Sequence, residues 1–179
     1  MKTSRLAVFC GSRSGTDPVY EQDAYTLGKL MAERGIGLVY GGGNKGLMGA
    51  VANAVMDHGG HVTGVIPQLL TEWEAQHEGI TDLRVVPDMH ARKKMMYECC
   101  DAAIILPGGN GTMDELFEML TWNTLKIHSK KIALLNSGGY YDSLIAYMDT
   151  MYTKGFLYTE WRERLLVCDT PEVAIDVLA

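Results

Sequence analysis

Residues 102–120 read "AAIILPGGNGTMDELFEML". Five aliphatic residues, a proline–glycine turn and a run with helical spacing make a strand–turn–helix unit. A strand this apolar, with no polar alternation, belongs in a parallel sheet covered by helices on both faces. The turn carries Gly108, Gly109 and Gly111, more glycine than a change of direction requires. Glycine turns that open a helix bring backbone N–H groups close to anions, and the helix dipole adds to the attraction. Yet the first turn of this helix holds two anions of its own, Asp114 and Glu115. The ligand must therefore want a phosphate cradle and a carboxylate within one helical turn.

The same unit recurs along the chain. Further strands are expected at 6–10, 37–40, 61–66, 83–87, 131–135 and 164–168. Helical patterns fall at roughly 18–34, 46–58, 89–100, 113–127, 141–153 and 171–178. Alternation of this kind predicts an α/β fold, a doubly wound parallel sheet with helices on both faces. No repeat, low-complexity segment or linker divides the chain, so residues 1–179 read as a single domain. Residues 67–82 are too mixed to assign. In such sheets ligands bind beyond the carboxyl ends of the strands. Three of those ends run into glycine turns, "CGSRSG" (10–15), "GGGNKG" (41–46) and "PGGNGT" (107–112), which points to one pocket walled by backbone amides.

Composition narrows the partners. Lys plus Arg number 16 against 22 Asp plus Glu, a formal net charge of −6 over 179 residues. An acidic chain lacks the basic face that a nucleic-acid polymer requires. The apolar runs fall far short of the roughly 20 residues that span a membrane, and the one near the N-terminus is too short for a signal peptide. Cys10, Cys99, Cys100 and Cys168 form no CxxC pair and no zinc spacing, so reduced thiols in a cytoplasmic protein are expected. The five histidines are scattered without an HExxH pattern, and no metal site is predicted.

Gly41-x-Gly43-x-x-Gly46 fits half of a dinucleotide fingerprint, but the acid that should follow the next strand is missing from "VIPQ" (65–68). This argues for a phosphate-approach loop without NAD, since three adjacent glycines meet no packing need. A P-loop is excluded because Lys45 precedes Gly46. In "MHARKKMM" (89–96), a spacing of 100° per residue sets Arg92 among Met89, Met95, Met96 and Cys99 on the apolar face. Lys94 points the other way and Lys93 lies on the flank. A guanidinium there either meets an anion or snorkels from the edge of a core helix. Thr112-x-x-Glu115 is a capping box by spacing, which alone would justify both acids. Leu116, Phe117 and Leu120 form the expected core face, while Glu115, Glu118, Met119 and Trp122 form a second, semi-polar stripe suited to a pocket wall or a subunit contact.

"PGGNGTMDE" (107–115) resembles the PGGxGTxxE motif of the LOG family, the cytokinin riboside 5′-monophosphate phosphoribohydrolases. The likeness extends to "FCGSRSG", "YGGGNKGLMG", "MHARKKMM", "TW" at 121–122 and "LLNSGGYYDSL", colinear over nearly the whole chain. It implies a Rossmann-like homodimer, free of cofactors, that hydrolyses the N-glycosidic bond of adenine-type nucleoside 5′-monophosphates, cytokinin precursors or AMP. By position, the family's essential arginine and glutamate fall on Arg92 and Glu115, and its substrate contacts on Glu74, Lys93, the 109–115 turn and Thr121. With the glycine turns, the implied substrate-binding set also takes in Gly11, Ser12, Gly42 and Gly43, then Gly108, Gly109, Asn110, Gly111 and Thr112. Met89 is placed near the base. A leaving base gives the ribose oxocarbenium character that a carboxylate stabilises, while turn amides hold the 5′-phosphate a sugar's width away. Family members have also carried the label lysine decarboxylase, but no lysine here stands in a pyridoxal-phosphate context. Two other readings remain: a non-catalytic carrier similar to molybdenum-cofactor carriers, and a general purine-nucleotide phosphoribohydrolase. The Met and Trp side chains of the 89–100 and 113–127 helices are expected to leave an apolar patch for a dimer contact.

Overall fold

A computed structural model describes residues 3–71 and 76–178. The aliphatic runs form seven strands: β1 (Arg5–Phe9), β2 (Gly37–Tyr40), β3 (Val62–Pro67), β4 (Asp82–Val86), β5 (Ala102–Ile105), β6 (Ile132–Leu135) and β7 (Leu165–Cys168). Every ladder is parallel and the sheet order is β4-β3-β2-β1-β5-β6-β7. The helices between them are α1 (Pro18–Glu33), α2 (Gly46–Asp57), α3 (Gln68–Thr71), α4 (Met89–Cys99), α5 (Asn110–Thr124), α6 (Asp142–Thr153) and α7 (Pro171–Asp176). The doubly wound α/β class expected from the strand pattern is the one observed.

Strand residues alternate between two cores because successive side chains leave opposite faces of a sheet. Leu6 and Val8 join α1, α2 and α7 on one face, whereas Ala7 and Phe9 join α4, α5 and α6 on the other. Asp17, Asp88 and Thr170 cap α1, α4 and α7 through their side-chain oxygens. The chain winds outward from β1 to β4, then returns to lay β5 on the other side of β1. Beyond the carboxyl ends of β1 and β5 the connections diverge, which opens a crevice at the topological switch point.

Three expectations need correcting. Helix α5 starts at Asn110, three residues early, with Gly109 as an N-cap that has no side-chain bond. Thr112 therefore sits inside the helix, 3% exposed, and does not form the capping box. Met119 is fully buried while Phe117 is among the exposed apolar residues, so the core face of α5 is Leu116, Met119 and Leu120. Most of the predicted Met and Trp patch is internal: Met96 is buried, and Met95 and Trp122 lie against the core, where the Trp122 ring meets Tyr97 edge-on at 5.0 Å, while Met89 is exposed. The exposed apolar residues nearby are instead Leu125, Ile127, Phe156 and Tyr158. The unassigned 67–82 stretch holds the end of β3, the short α3 and a bridge between Gly43 and Gln76.

Candidate active site at the β1–β5 crevice

The crevice is a cavity of about 220 Å³. Cys10, Gly11 and Ser12 reach it from the end of β1 and Gly41 from the end of β2. Arg92 and Met96 enter from α4, and Gly109 to Thr112 with Glu115 from the start of α5. A second cavity of about 270 Å³ adjoins it, sharing Gly11, Ser12 and Gly109 and adding Tyr20 and Tyr140. Two of the three glycine turns thus meet across one crevice, and the third contributes Gly41.

The turn into α5 has its acceptors occupied by protein. The Leu106 carbonyl accepts from the Tyr141 hydroxyl at 2.6 Å, and that of Pro107 from the Gly11 amide at 3.0 Å. The Gly108 carbonyl accepts from the Tyr140 hydroxyl at 2.7 Å, and that of Gly109 from the Met113 amide at 3.1 Å. The first-turn amides of α5 have no intrahelical acceptor. With four carbonyls engaged and first-turn amides that no helical carbonyl accepts, the turn is suited to an anion. Glycine is required at 108 because an added Cβ would lie 2.1 Å from the Thr112 hydroxyl and 2.9 Å from the Gly11 nitrogen.

Arg92 is 6% exposed, as the helical phase predicted. Its Nη2 donates to the Gly41 carbonyl at 3.0 Å, Nη1 lies 3.9 Å from the Met89 sulfur, and Nε is buried with no partner among the described residues. Its planar fork of donors, buried on the same cavity as Glu115, is a shape that suits a phosphate or a carboxylate. Cys10 also lines the cavity. Burial and the Glu115 charge push its thiol up while Arg92 pulls it down, and the net shift is upward. That shift favours the neutral thiol over the nucleophilic thiolate. Tyr40, also raised by burial, ends β2 with its hydroxyl buried and unpartnered among the described residues.

Several residues expected as substrate contacts are not among those that line this cavity. Lys93 is buried, but its Nζ donates to Asp114 at 2.9 Å and lies 3.2 Å from Glu118. Glu118 also accepts from the Tyr97 hydroxyl at 2.8 Å, so this cluster joins α4 to α5 behind Arg92 and Glu115. Lys94 is exposed, as expected, and pairs with Glu98. Thr121 is six residues beyond Glu115, about 120° around the helix. Its hydroxyl donates to the Phe117 carbonyl and it lines a separate apolar groove. Met89 is exposed, with its sulfur near Arg92 Nη1. Gly42 and Gly43 turn away from the cavity: Gly42 (φ 78°) lies against Ile66 and Leu83, and Gly43 pairs with Gln76. The expectation that the three adjacent glycines meet no packing need is wrong, since a Cβ on Gly41 would lie 1.9 Å from Arg92 Nη2 and one on Gly42 3.2 Å from Ile66. Glu74 lies outside the described residues.

Sequence reading named Gly41 in the fingerprint but left it out of the substrate-binding set, although a Cβ there would lie 1.9 Å from Arg92 Nη2, and it assigned no role to the two tyrosines of "GGYY". The glycine fingerprint and the "LLNSGGYYDSL" likeness were the available signals. No group of three or more His, Cys, Asp or Glu among the described residues is arranged to hold a metal, and no helix among them is long and apolar enough to cross a membrane.

Residues 48–178 match a family model described as "Possible lysine decarboxylase". A cytokinin riboside 5′-monophosphate phosphoribohydrolase of Rhodococcoides fascians is 47% identical over 95% of this chain and 86% of its own. The LOG7 enzyme of the same name from Arabidopsis thaliana is 50% identical over 86% of this chain and 70% of its own. Among solved structures, the molybdenum cofactor binding protein of Rippkaea orientalis superimposes with a TM-score of 0.73 at 22% identity, covering 99% of this chain and 96% of its own. The molybdenum cofactor carrier of Chlamydomonas reinhardtii gives 0.75 at 19%, covering 98% and 96%. These two likenesses speak for the fold alone. By the span of the family model and the identity of its relatives, the chain belongs to the LOG family of cytokinin riboside 5′-monophosphate phosphoribohydrolases.

Proposed function

We propose that the crevice hydrolyses the N-glycosidic bond of adenine-type nucleoside 5′-monophosphates, a cytokinin riboside 5′-monophosphate or AMP. The observation that carries this reading is the α5 turn: four consecutive carbonyls are engaged and the amides are left for an anion, with Glu115 and buried Arg92 on the same cavity. The amides hold the 5′-phosphate. The Glu115 carboxylate faces the anomeric carbon, where it stabilises the oxocarbenium-like transition state and orients water. The C1′–N9 bond breaks, the water oxygen bonds to C1′, and the water proton ends on the departing base. The products are free base and ribose 5-phosphate. Arg92 supplies the cation against which the phosphate or Glu115 is fixed. The anionic ligand and the anionic side chain thus serve opposite ends of one sugar.

Lysine decarboxylation does not fit these residues. It uses pyridoxal phosphate bound to a Schiff-base lysine. Among the described residues no lysine lines the cavity, and Lys93 is held by Asp114 and Glu118. Incubation with AMP and with N6-isopentenyl-AMP tests the proposal: released base and ribose 5-phosphate support it, and the relative rates identify the preferred base. Recovery of intact nucleotide from both would refute it.

We infer further that the chain acts as a cytoplasmic homodimer. Its four thiols are all free, which suits a reducing compartment. An apolar groove of about 320 Å³ lined by Phe117, Thr121, Met148 and Met151, flanked by exposed Phe156 and Tyr158, is the face a second copy would cover. Sedimentation as a 19.7 kDa species at micromolar concentration would remove this inference.

A further inference from the structure

The stretch "LLNSGGYYDSL" (134–144) carries no role in the reaction as described so far. It leaves β6, and Gly138 (φ 57°) and Gly139 (φ 73°) turn it back toward the start of α5 in a conformation that side chains resist. Asn136 fixes the turn, accepting from the Tyr141 amide at 2.7 Å and donating to Asp142 at 2.8 Å. The two tyrosines then bond the carbonyls on either side of Pro107, Tyr141 at Leu106 and Tyr140 at Gly108.

The Gly108–Gly109 peptide has the least intrinsic reason to hold its orientation, because neither residue has a side chain to restrict it. In a planar trans peptide the C=O and the following N–H point to opposite sides of the chain. Holding the Gly108 carbonyl toward Tyr140 therefore sends the Gly109 amide the other way. Gly109 lines the cavity that contains Glu115. A flipped peptide would present an oxygen to an anion in place of a donor. We propose that Tyr140 is a positioning residue for the 5′-phosphate, its hydroxyl locking the Gly108–Gly109 peptide with the Gly109 amide directed at the anion. This rests on the phosphate-cradle reading given above. The ring is itself braced, edge-on to Tyr20 at 5.5 Å and to Tyr141 at 4.8 Å.

Tyr140→Phe keeps those ring contacts and removes only the hydroxyl. The ring is 43% exposed, so no core cavity is created. Titration calorimetry with ribose 5-phosphate and, separately, with adenine is the test, using the wild type and Tyr147→Phe, an exposed tyrosine of α6, as references. Ribose 5-phosphate should bind Tyr140→Phe about tenfold more weakly, the effect of one hydrogen bond at the anion. Adenine affinity should stay within about twofold, since the lock acts on phosphate alone. Equal affinity of Tyr140→Phe and wild type for ribose 5-phosphate would overturn the role of Tyr140 alone. So would equal weakening toward both ligands, which marks general loosening. A wild type that binds no ribose 5-phosphate would overturn the cradle and this proposal together.

Discussion

Gly41→Ala probes Arg92 without altering it. A Cβ built on Gly41 lies 1.9 Å from Arg92 Nη2, 3.1 Å from Cζ and 3.2 Å from the Met48 sulfur. Ordinary contact begins at 3.4 Å, so the guanidinium nitrogen must retreat by about 1.5 Å. Gly41 is not among the residues with positive φ, so alanine meets no backbone strain and the far end of a long side chain absorbs the clash. The retreat also breaks the 3.0 Å bond to the Gly41 carbonyl. A misplacement of about 1 Å in an oriented site costs about 100-fold in rate, equivalent to about 2.7 kcal/mol of transition-state stabilisation. Gly41→Ala should therefore lower kcat/KM for AMP by about 100-fold, approaching Arg92→Ala, with little change in thermal midpoint. Gly42→Ala makes the useful contrast: its φ of 78° strains alanine, so stability should fall by about 1–2 kcal/mol. Initial rates of base release, resolved by liquid chromatography, provide the assay. Gly41→Ala folded and active within about threefold of wild type would show that the placement of Arg92 does not govern turnover.

Glu115→Gln should abolish base release while nucleotide affinity stays within a few-fold, because the amide keeps the shape and loses the charge; a comparable loss of affinity would make Glu115 a binding residue. AMP should be hydrolysed and adenosine should not: if the cradle supplies about 4 kcal/mol, the nucleoside reacts about a thousandfold more slowly, and kcat/KM values within tenfold of each other would remove the cradle. Lys93→Met should lower stability by about 2 kcal/mol with ribose 5-phosphate affinity nearly unchanged, whereas lost affinity in a stable variant would restore Lys93 as a substrate contact. Burial alone would lower the Lys93 pKa, but its bonds to Asp114 and Glu118 outweigh this and hold it above the usual 10.5. Its stabilising effect is therefore full at neutral pH and lost as pH rises through that raised value, so wild type and Lys93→Met should converge in thermal midpoint above pH 10.5.

What local sequence determines, it determined well. Short continuous aliphatic runs such as "AAIIL", bounded by glycine turns, fit strands covered on both faces, and parallel strands place all their carboxyl ends at one edge, so the glycine turns gather there. Helical phase was enough to bury Arg92 and expose Lys94, because side-chain direction repeats with the helix itself. The remainder depended on contacts between residues far apart in the chain. Nothing in "CGSRSG" or "PGGNGT" says that β1 and β5 are neighbours, yet that adjacency puts the Gly11 amide on the Pro107 carbonyl. The spacing Thr112-x-x-Glu115 is a capping box in isolation, but Gly108 and Gly11 leave Thr112 a buried seat against the turn and α5 begins at Asn110. Lys93, on the flank of its own helix, takes its role from Asp114 and Glu118, 21 and 25 residues further along and on another helix. Within the glycine run it is Arg92, 51 residues away, that selects Gly41 as the wall and leaves Gly42 and Gly43 to pack against β3 and its following loop. Periodicity assigns each element a face; only the fold decides which other element that face meets, and charges and glycines acquire their function from that meeting.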